Sequence, residues 1–150
     1  MAQTLVSLLV HIVFSTKNRA NLITPEIEPE LFPYMTGILK NHESPCLAIN
    51  GTANHVHLLI SQSKNTALSD LIGELKRDSS KWIKTKGAAF RNFHWQDGYG
   101  GFSIGQSNMV DLKRYITRQK QRHKAASFEA EFLGLLEKYE VEYDERYLWK

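Results

Sequence analysis

Hydrophobic periodicity changes along the first 96 residues in the order strand, helix, strand, strand, helix, strand, and few architectures accept that order. Residues 3–14 form an apolar, β-branched run that reads as a buried strand, ended by the polar stretch Thr16 to Asn21. From Pro29 to Asn41, Phe32, Met35, Ile38 and Leu39 recur at helical spacing, with Pro29 and Pro33 near the start. Cys46 to Asn50 and His55 to Gln62 are two short strands, and the turn residues Gly51 to Asn54 between them predict a hairpin. Leu68, Leu71, Ile72, Leu75, Trp82 and Ile83 mark one side of a long helix from Ala67 to Thr85, with Thr66 as its N-cap and Gly87 beyond its end. Phe93 to Gln96 completes the series as a fourth strand. The order is that of a ferredoxin-like split βαβ sandwich, an α+β fold whose antiparallel sheet carries helices on one face.

Beyond that unit, the glycine-rich stretch DGYGGFSIG at 97–105 reads as a loop, and residues 97–107 as a hinge. Two C-terminal helices follow, at Asn108 to Lys124 and Phe128 to Tyr139, as additions to the core. At 150 residues and 42% hydrophobic content, with no repeat or linker, the chain is expected to form a single domain over 1–150. The single cysteine, Cys46, excludes an intramolecular disulfide and a thiolate metal cluster. No apolar run is long enough for a membrane span, so a soluble cytoplasmic protein that does not engage membranes is expected. A net charge of +3 favours an anionic partner only weakly, and the placement of the charge says more than its sum.

Chemistry is suggested first by His55-Val56-His57. Side chains two residues apart on a strand share a face, so both imidazoles can reach one divalent cation, although such pairs also serve as hydrogen-bonded residues on a sheet. Tyr115 and Gln119 stand four apart on a helix and share a face too, and of the six tyrosines only Tyr115 has this partner. A glutamine carbonyl can complete a site begun by two imidazoles, and three neutral ligands leave the cation's charge available to a phosphate oxygen. A phenol with a pKa of about 10 is mostly protonated at neutral pH, and a nearby cation would make it a better nucleophile. Attack on DNA would leave a phosphotyrosyl bond that a second DNA end could reseal without ATP, which suits strand transfer better than digestion. Taken singly, Tyr115 and Gln119 read as ordinary amphipathic-helix residues, and only their combination with His55 and His57 favours catalysis.

These residues carry a family likeness. HIVFSTKNR at 11–19, NHVHLLIS at 54–61, WQDGYGGFSI at 95–104 and YITRQ at 115–119, with the ending FEAEFLGLLEKYEVEYDERYLW at 128–149, resemble the single-tyrosine HUH transposases of small bacterial insertion sequences (the insertion sequence 200/605 type) and the repeat-associated tyrosine transposases. The resemblance covers nearly the whole chain. It implies that His55, His57 and Gln119 bind Mg²⁺ or Mn²⁺, that Tyr115 forms a 5′-phosphotyrosine link, and that the protein is a homodimer acting on single-stranded DNA with hairpins. Asn54 departs from the aspartate common before the motif in relatives, removing a negative charge without deleting a ligand.

Lys113, Arg114, Arg118, Lys120, Arg122 and Lys124 form a run without acidic residues, in which Arg114, Arg118 and Arg122 share a helical stripe beside Tyr115. They are the candidate DNA-binding residues, against the alternative of a solvated basic face. A second basic group, Lys76, Arg77, Lys81, Lys84 and Lys86, lies on the long helix. The leading expectation is a metal-dependent transposase that cleaves and rejoins single-stranded DNA at hairpin-associated sites. Its competitors are a catalytically inactive or domesticated sequence-specific nucleic-acid-binding protein and a hydrolase of small phosphate compounds.

Overall fold

Four antiparallel strands, β1 (Leu9–Ser15), β2 (Cys46–Gly51), β3 (His55–Ser61) and β4 (Gly100–Ile104), form one sheet in the order β2-β3-β1-β4. The computed structural model describes residues 2–123 and 126–150. Helix α1 (Glu28–Asn41) connects β1 to β2, and α2 (Leu68–Lys84) connects β3 to β4, which gives the ferredoxin-like topology expected from the order of periodicities. Among the described residues, no helix is long and apolar enough to cross a membrane.

Alternation along the two inner strands divides the molecule into two layers of helices. Ile12 and Phe14 of β1 and Val56, Leu58 and Ile60 of β3 bury against Leu31, Met35 and Leu39 of α1 and Leu71, Ile72 and Leu75 of α2. The intervening residues His11, Val13, His55, His57 and Leu59 point the other way, by the period of two. They are nevertheless buried, because α3 (Met109–Thr117), α4 (Gln119–Arg122) and α5 (Phe128–Lys138) cover that second face. The C-terminal helices therefore close a second core over the histidine-bearing face. A short α6 (Glu145–Leu148), which the sequence reading did not include, follows them.

Several expected boundaries are corrected. β1 starts at Leu9 rather than residue 3, because its neighbours run out there: Leu9 pairs with Ser61 at the end of β3 and with Ile104 at the end of β4. The N-cap of α2 is Ala67, not Thr66, whose carbonyl accepts a bond from the Gln62 amide instead. Phe93 to Gln96 is not the fourth strand, since only Trp95 makes a bridge, to Thr16. That segment is held by the backbone bonds from Lys17 N–H to the His94 carbonyl and from Gln96 N–H to the Ser15 carbonyl, each at 2.9 Å, and by side chains, with Trp95 edge-on to Phe14 and Phe93 and its indole N–H donating to Ser79 Oγ. The fourth strand lies inside the stretch read as a glycine loop. Its glycines allow close approach: a Cβ on Gly100 would stand 2.6 Å from the Phe132 ring, and one on Gly101 would stand 3.1 Å from Leu68. With β4 paired through Ile104, the part of the 97–107 stretch that lies between the sheet and α3 is Gly105 and the tight turn Gln106–Asn108.

Gly51 at the end of β2 is the sharpest steric constraint on the hairpin that presents His55. A Cβ there would fall 2.1 Å from the His55 carbonyl oxygen, a backbone atom that cannot rotate away. Gly51→Ala is therefore expected to cost about 3 kcal/mol and to lower Tm by roughly 6–12 °C. Thermal circular dichroism checks this, and a Tm within about 2 °C of the parent would mean that the hairpin opens freely.

Candidate functional site

Opposite the α1/α2 layer, the strand alternation turns His55 and His57 of β3 and His11 of β1 onto the same side of the sheet, under α3, α4 and α5. α3 sits on β2 and β3 with Ile116 buried beside Leu9 and Leu59, and this brings the Tyr115 ring to 5.7 Å from the His57 ring. The helix expected over Asn108 to Lys124 is broken. Arg118 has φ −95° and ψ 14°, so α3 ends at Thr117 and α4 begins at Gln119. Asn50 covers the break by donating to the carbonyls of Ile116 and Thr117, each at 3.0 Å. The interruption leaves Gln119 fully buried beneath the strand histidines.

At the centre stands Glu131 of α5, a carboxylate in an otherwise apolar helix face. Its Oε1 lies 2.8 Å from His57 Nε2, 3.0 Å from His123 Nε2 and 3.7 Å from His55 Nε2. Its Oε2 accepts from the Tyr115 hydroxyl and from Gln119 Nε2 at 3.0 Å, and forms an ion pair with Arg122 Nε at 3.3 Å. Burial pushes this carboxyl upward, but the bonds from His57, Tyr115 and Gln119 outweigh it and hold Glu131 below the usual carboxylate range. Burial first, and then the bond and charge of Glu131, raise the Tyr115 phenol above its ordinary value, so it rests protonated. Burial holds His55 and His11 down to about 3, and lowers His57 as well, so the three rings are neutral at pH 7.

The hydrogen bonds around His55 decide its tautomer. Asn54 Nδ2 donates to the Arg19 carbonyl at 3.4 Å, which turns Asn54 Oδ1 toward His55 Nδ1 at 2.8 Å. An amide oxygen only accepts, so Nδ1 carries the proton and Nε2 presents a lone pair. That lone pair faces Gln119 Oε1 at 3.2 Å, another acceptor, oriented by the bond from Gln119 Nε2 to Glu131. Two acceptors with no proton between them fit a bound cation, and a ring whose far N–H is tied to a side-chain oxygen has the arrangement of a metal-ligating histidine. His55, His57 and Gln119 thus suit a divalent ion by the chemistry of their donors. A second set of groups, His55, His57, His123 and Glu131, offers ligand atoms that all lie within 4.8 Å of one another.

Of the residues singled out in the sequence, His55, His57, Gln119 and Tyr115 meet at this one place, whereas the three arginines diverge. Arg122 is paired with Glu131 and lies over the Tyr115 ring at 4.8 Å, Arg114 pairs with Asp111 at 3.6 Å, and Arg118 is exposed at the helix break. The break prevents a continuous arginine stripe. Lys124 lies outside the described residues. Lys76 of the second basic group is an internal anchor, donating to the carbonyls of Gln96 and Gly98 beside the Phe14 ring. Sequence reasoning missed Glu131, His123 and His11. His123 continues the spacing of Tyr115 and Gln119 by four more residues, and Glu131 is a carboxylate at a core position between Phe128 and Leu135. Both were signals available to it.

The family model described as Transposase IS200 like matches residues 4–119. A crystal structure of a candidate transposase from Deinococcus radiodurans R1 superposes with a TM-score of 0.62 at 18% identity, covering 79% of this chain and 95% of that one. A REP-associated tyrosine transposase bound to a REP hairpin superposes with a TM-score of 0.60 at 14% identity, covering 82% of this chain and 73% of that one. At these identities the two structures establish a shared fold. No curated protein matches the sequence.

Proposed function

The chain belongs to the IS200-like transposase family, and from that premise we propose that it cleaves and rejoins single-stranded DNA at hairpin-associated sites through a 5′-phosphotyrosine intermediate on Tyr115. The observation that carries the reading is the shared carboxylate: Glu131 bonds the Tyr115 hydroxyl through Oε2 while Oε1 faces the same histidines that offer metal ligands. Nucleophile and metal donors are thereby held within one hydrogen-bonded unit.

His55, His57 and Gln119 would hold the divalent ion, Mg²⁺ or Mn²⁺, which supplies positive charge to the oxygens of the scissile phosphate. Tyr115 Oη attacks phosphorus, its new bond forming as the bond from phosphorus to the 3′-oxygen of the preceding nucleotide breaks. The phenol proton passes to Glu131 Oε2, and the leaving oxygen takes a proton from solvent to become a free 3′-hydroxyl. Rejoining runs the same exchange backwards with the 3′-hydroxyl of a second DNA end, which restores the phenol. Arg114, Arg118 and Arg122, on the elements that carry Tyr115 and Gln119, would meet the phosphate backbone. The protein would act in the cytoplasm as one domain over residues 1–150 and as a homodimer.

Incubating the purified protein with labelled single-stranded DNA from the flanks of its gene, with Mn²⁺ or with EDTA, tests this. The expected result is a protein–DNA adduct that survives denaturation and requires the metal. Hairpin binding that ignores the chelator, with no adduct on any strand, would favour the non-catalytic binding protein instead.

A further inference from the structure

His123 is the C-cap of α4, four residues beyond Gln119, and its ring geometry repeats that of His55. Its Nδ1 stands 2.8 Å from the carbonyl oxygen of Ala126, which only accepts, so Nδ1 carries a proton. Its Nε2 then faces Gln119 Oε1 and Glu131 Oε1, each at 3.0 Å. His55 and His123 thus both tie the outer N–H to an oxygen and aim Nε2 at the same oxygen-lined point, which is how ligating histidines are oriented in metal sites. His57 reaches that point as well, with its own Nδ1 against His11 Nε2 at 2.8 Å.

The spacings match a coordination shell. Ligand atoms about 2.1 Å from one ion stand about 3.0 Å apart at a right angle and about 3.4 Å apart at a tetrahedral angle. Here the neighbouring pairs of Nε2 and oxygen atoms are separated by 2.8, 3.0, 3.0, 3.2 and 3.7 Å. Three imidazole nitrogens and a carboxylate oxygen also make a different donor set from the oxygen-rich shells that suit Mg²⁺.

Resting on the metal-dependent reading above, we propose that His123 and Glu131 are ligands of the same ion as His55 and His57, so that this transposase has an imidazole-rich centre selective for a first-row transition ion over Mg²⁺. Glu131 then couples the two halves of the site, with Oε1 toward the ion and Oε2 on the Tyr115 hydroxyl. The donors come from β3, the C-cap of α4 and α5, so metal binding clamps the C-terminal helices onto the histidine face of the sheet.

The test is a Co²⁺ titration of the metal-free, full-length protein, followed by the visible absorption of the bound ion, with Mg²⁺ as competitor. Expected results are saturable binding that a hundredfold excess of Mg²⁺ does not reverse, and at least a tenfold loss of affinity in each of His123→Ala and Glu131→Gln. Far-ultraviolet circular dichroism checks the fold of both variants. His123, at the edge of the cluster, carries the test should Glu131→Gln fail to fold. Co²⁺ binding that requires His55 but is unchanged in the folded variants would overturn the added ligands while leaving the metal-dependent reading standing. A folded parent protein that binds no Co²⁺ would overturn both.

Discussion

Acidifying the metal-free protein from pH 7 to pH 4 is expected to remove most of its folding stability. His11 and His55 are buried neutral, with burial holding each near 3, whereas in an unfolded chain an imidazole titrates near 6.5. Between those two values the unfolded chain binds more protons than the folded one, so stability rises with pH across that window and is lost as the pH falls. By pH 4 each ring has withdrawn on the order of 3 kcal/mol relative to pH 7. His57 is lowered too and acts with the same sign. Glu131 adds to the effect: a carboxyl held below its ordinary range stabilises above about 4.5 and gives that stability up as the pH drops below it. Set against a total of 5–15 kcal/mol for a typical domain, two rings alone bring the fold to its margin, and an equilibrium acid titration by tryptophan fluorescence should show cooperative unfolding near pH 4. His11→Gln, which removes one titrating ring and keeps a hydrogen-bonding amide opposite His57 Nδ1, should move that midpoint to lower pH. Stability unchanged between pH 6.5 and pH 4 would mean that the rings are hydrated and ordinary.

That three histidines lie under helices rather than at a wet sheet surface was only half legible in the sequence. The period of two placed His55 and His57 on one face of β3, and the spacing of four placed Tyr115 with Gln119; both relations are local, and local geometry is what a sequence displays. Which face of the sheet receives the C-terminal helices is a matter of long-range packing, decided here by Leu9, Leu59 and Ile116 in one cluster and by Val13, Phe102 and Phe128 in another. The misplacement of the fourth strand has a different cause. Phe93 to Gln96 has strand-like residues, but its aromatic rings serve side-chain packing around Ser79, while Gly100 and Gly101, poor strand formers on propensity, leave the room that Phe132 and Leu68 occupy. The break at Arg118 has no proline or glycine to announce it; it follows from the pull of Asn50 on the carbonyls of Ile116 and Thr117 and from the burial of Gln119. Glu131 was readable as an anomaly, a charge within an apolar stripe, and its five polar neighbours explain why burial there is tolerable.

Tyr115→Phe is expected to abolish the covalent DNA adduct and to reduce strand transfer by at least about 10⁴-fold, as removal of a nucleophile does when no other group replaces it. The fold should tolerate the change. The ring stays packed between His11 and His57 and beneath Arg122, and the hydroxyl is lost from a carboxylate that keeps Gln119, Arg122, His57 and His123 as partners; the stability change should remain within about 1 kcal/mol. Hairpin affinity, carried by phosphate contacts rather than by the phenol, should also remain within about twofold. The result therefore separates chemistry from binding within one molecule. An adduct that persists in Tyr115→Phe would move the nucleophile to another tyrosine. Tyr139, stacked on Phe102 at 4.8 Å, has no bond to Glu131 among the described residues and would then need the C-terminal helices to rearrange before it could reach a phosphate held beside His55 and His57. Because burial and Glu131 keep the Tyr115 phenol protonated, the parent enzyme should form its adduct only when the metal and DNA are both present, and the burst of adduct on adding Mn²⁺ to a preformed protein–DNA complex is the measurement that reports it.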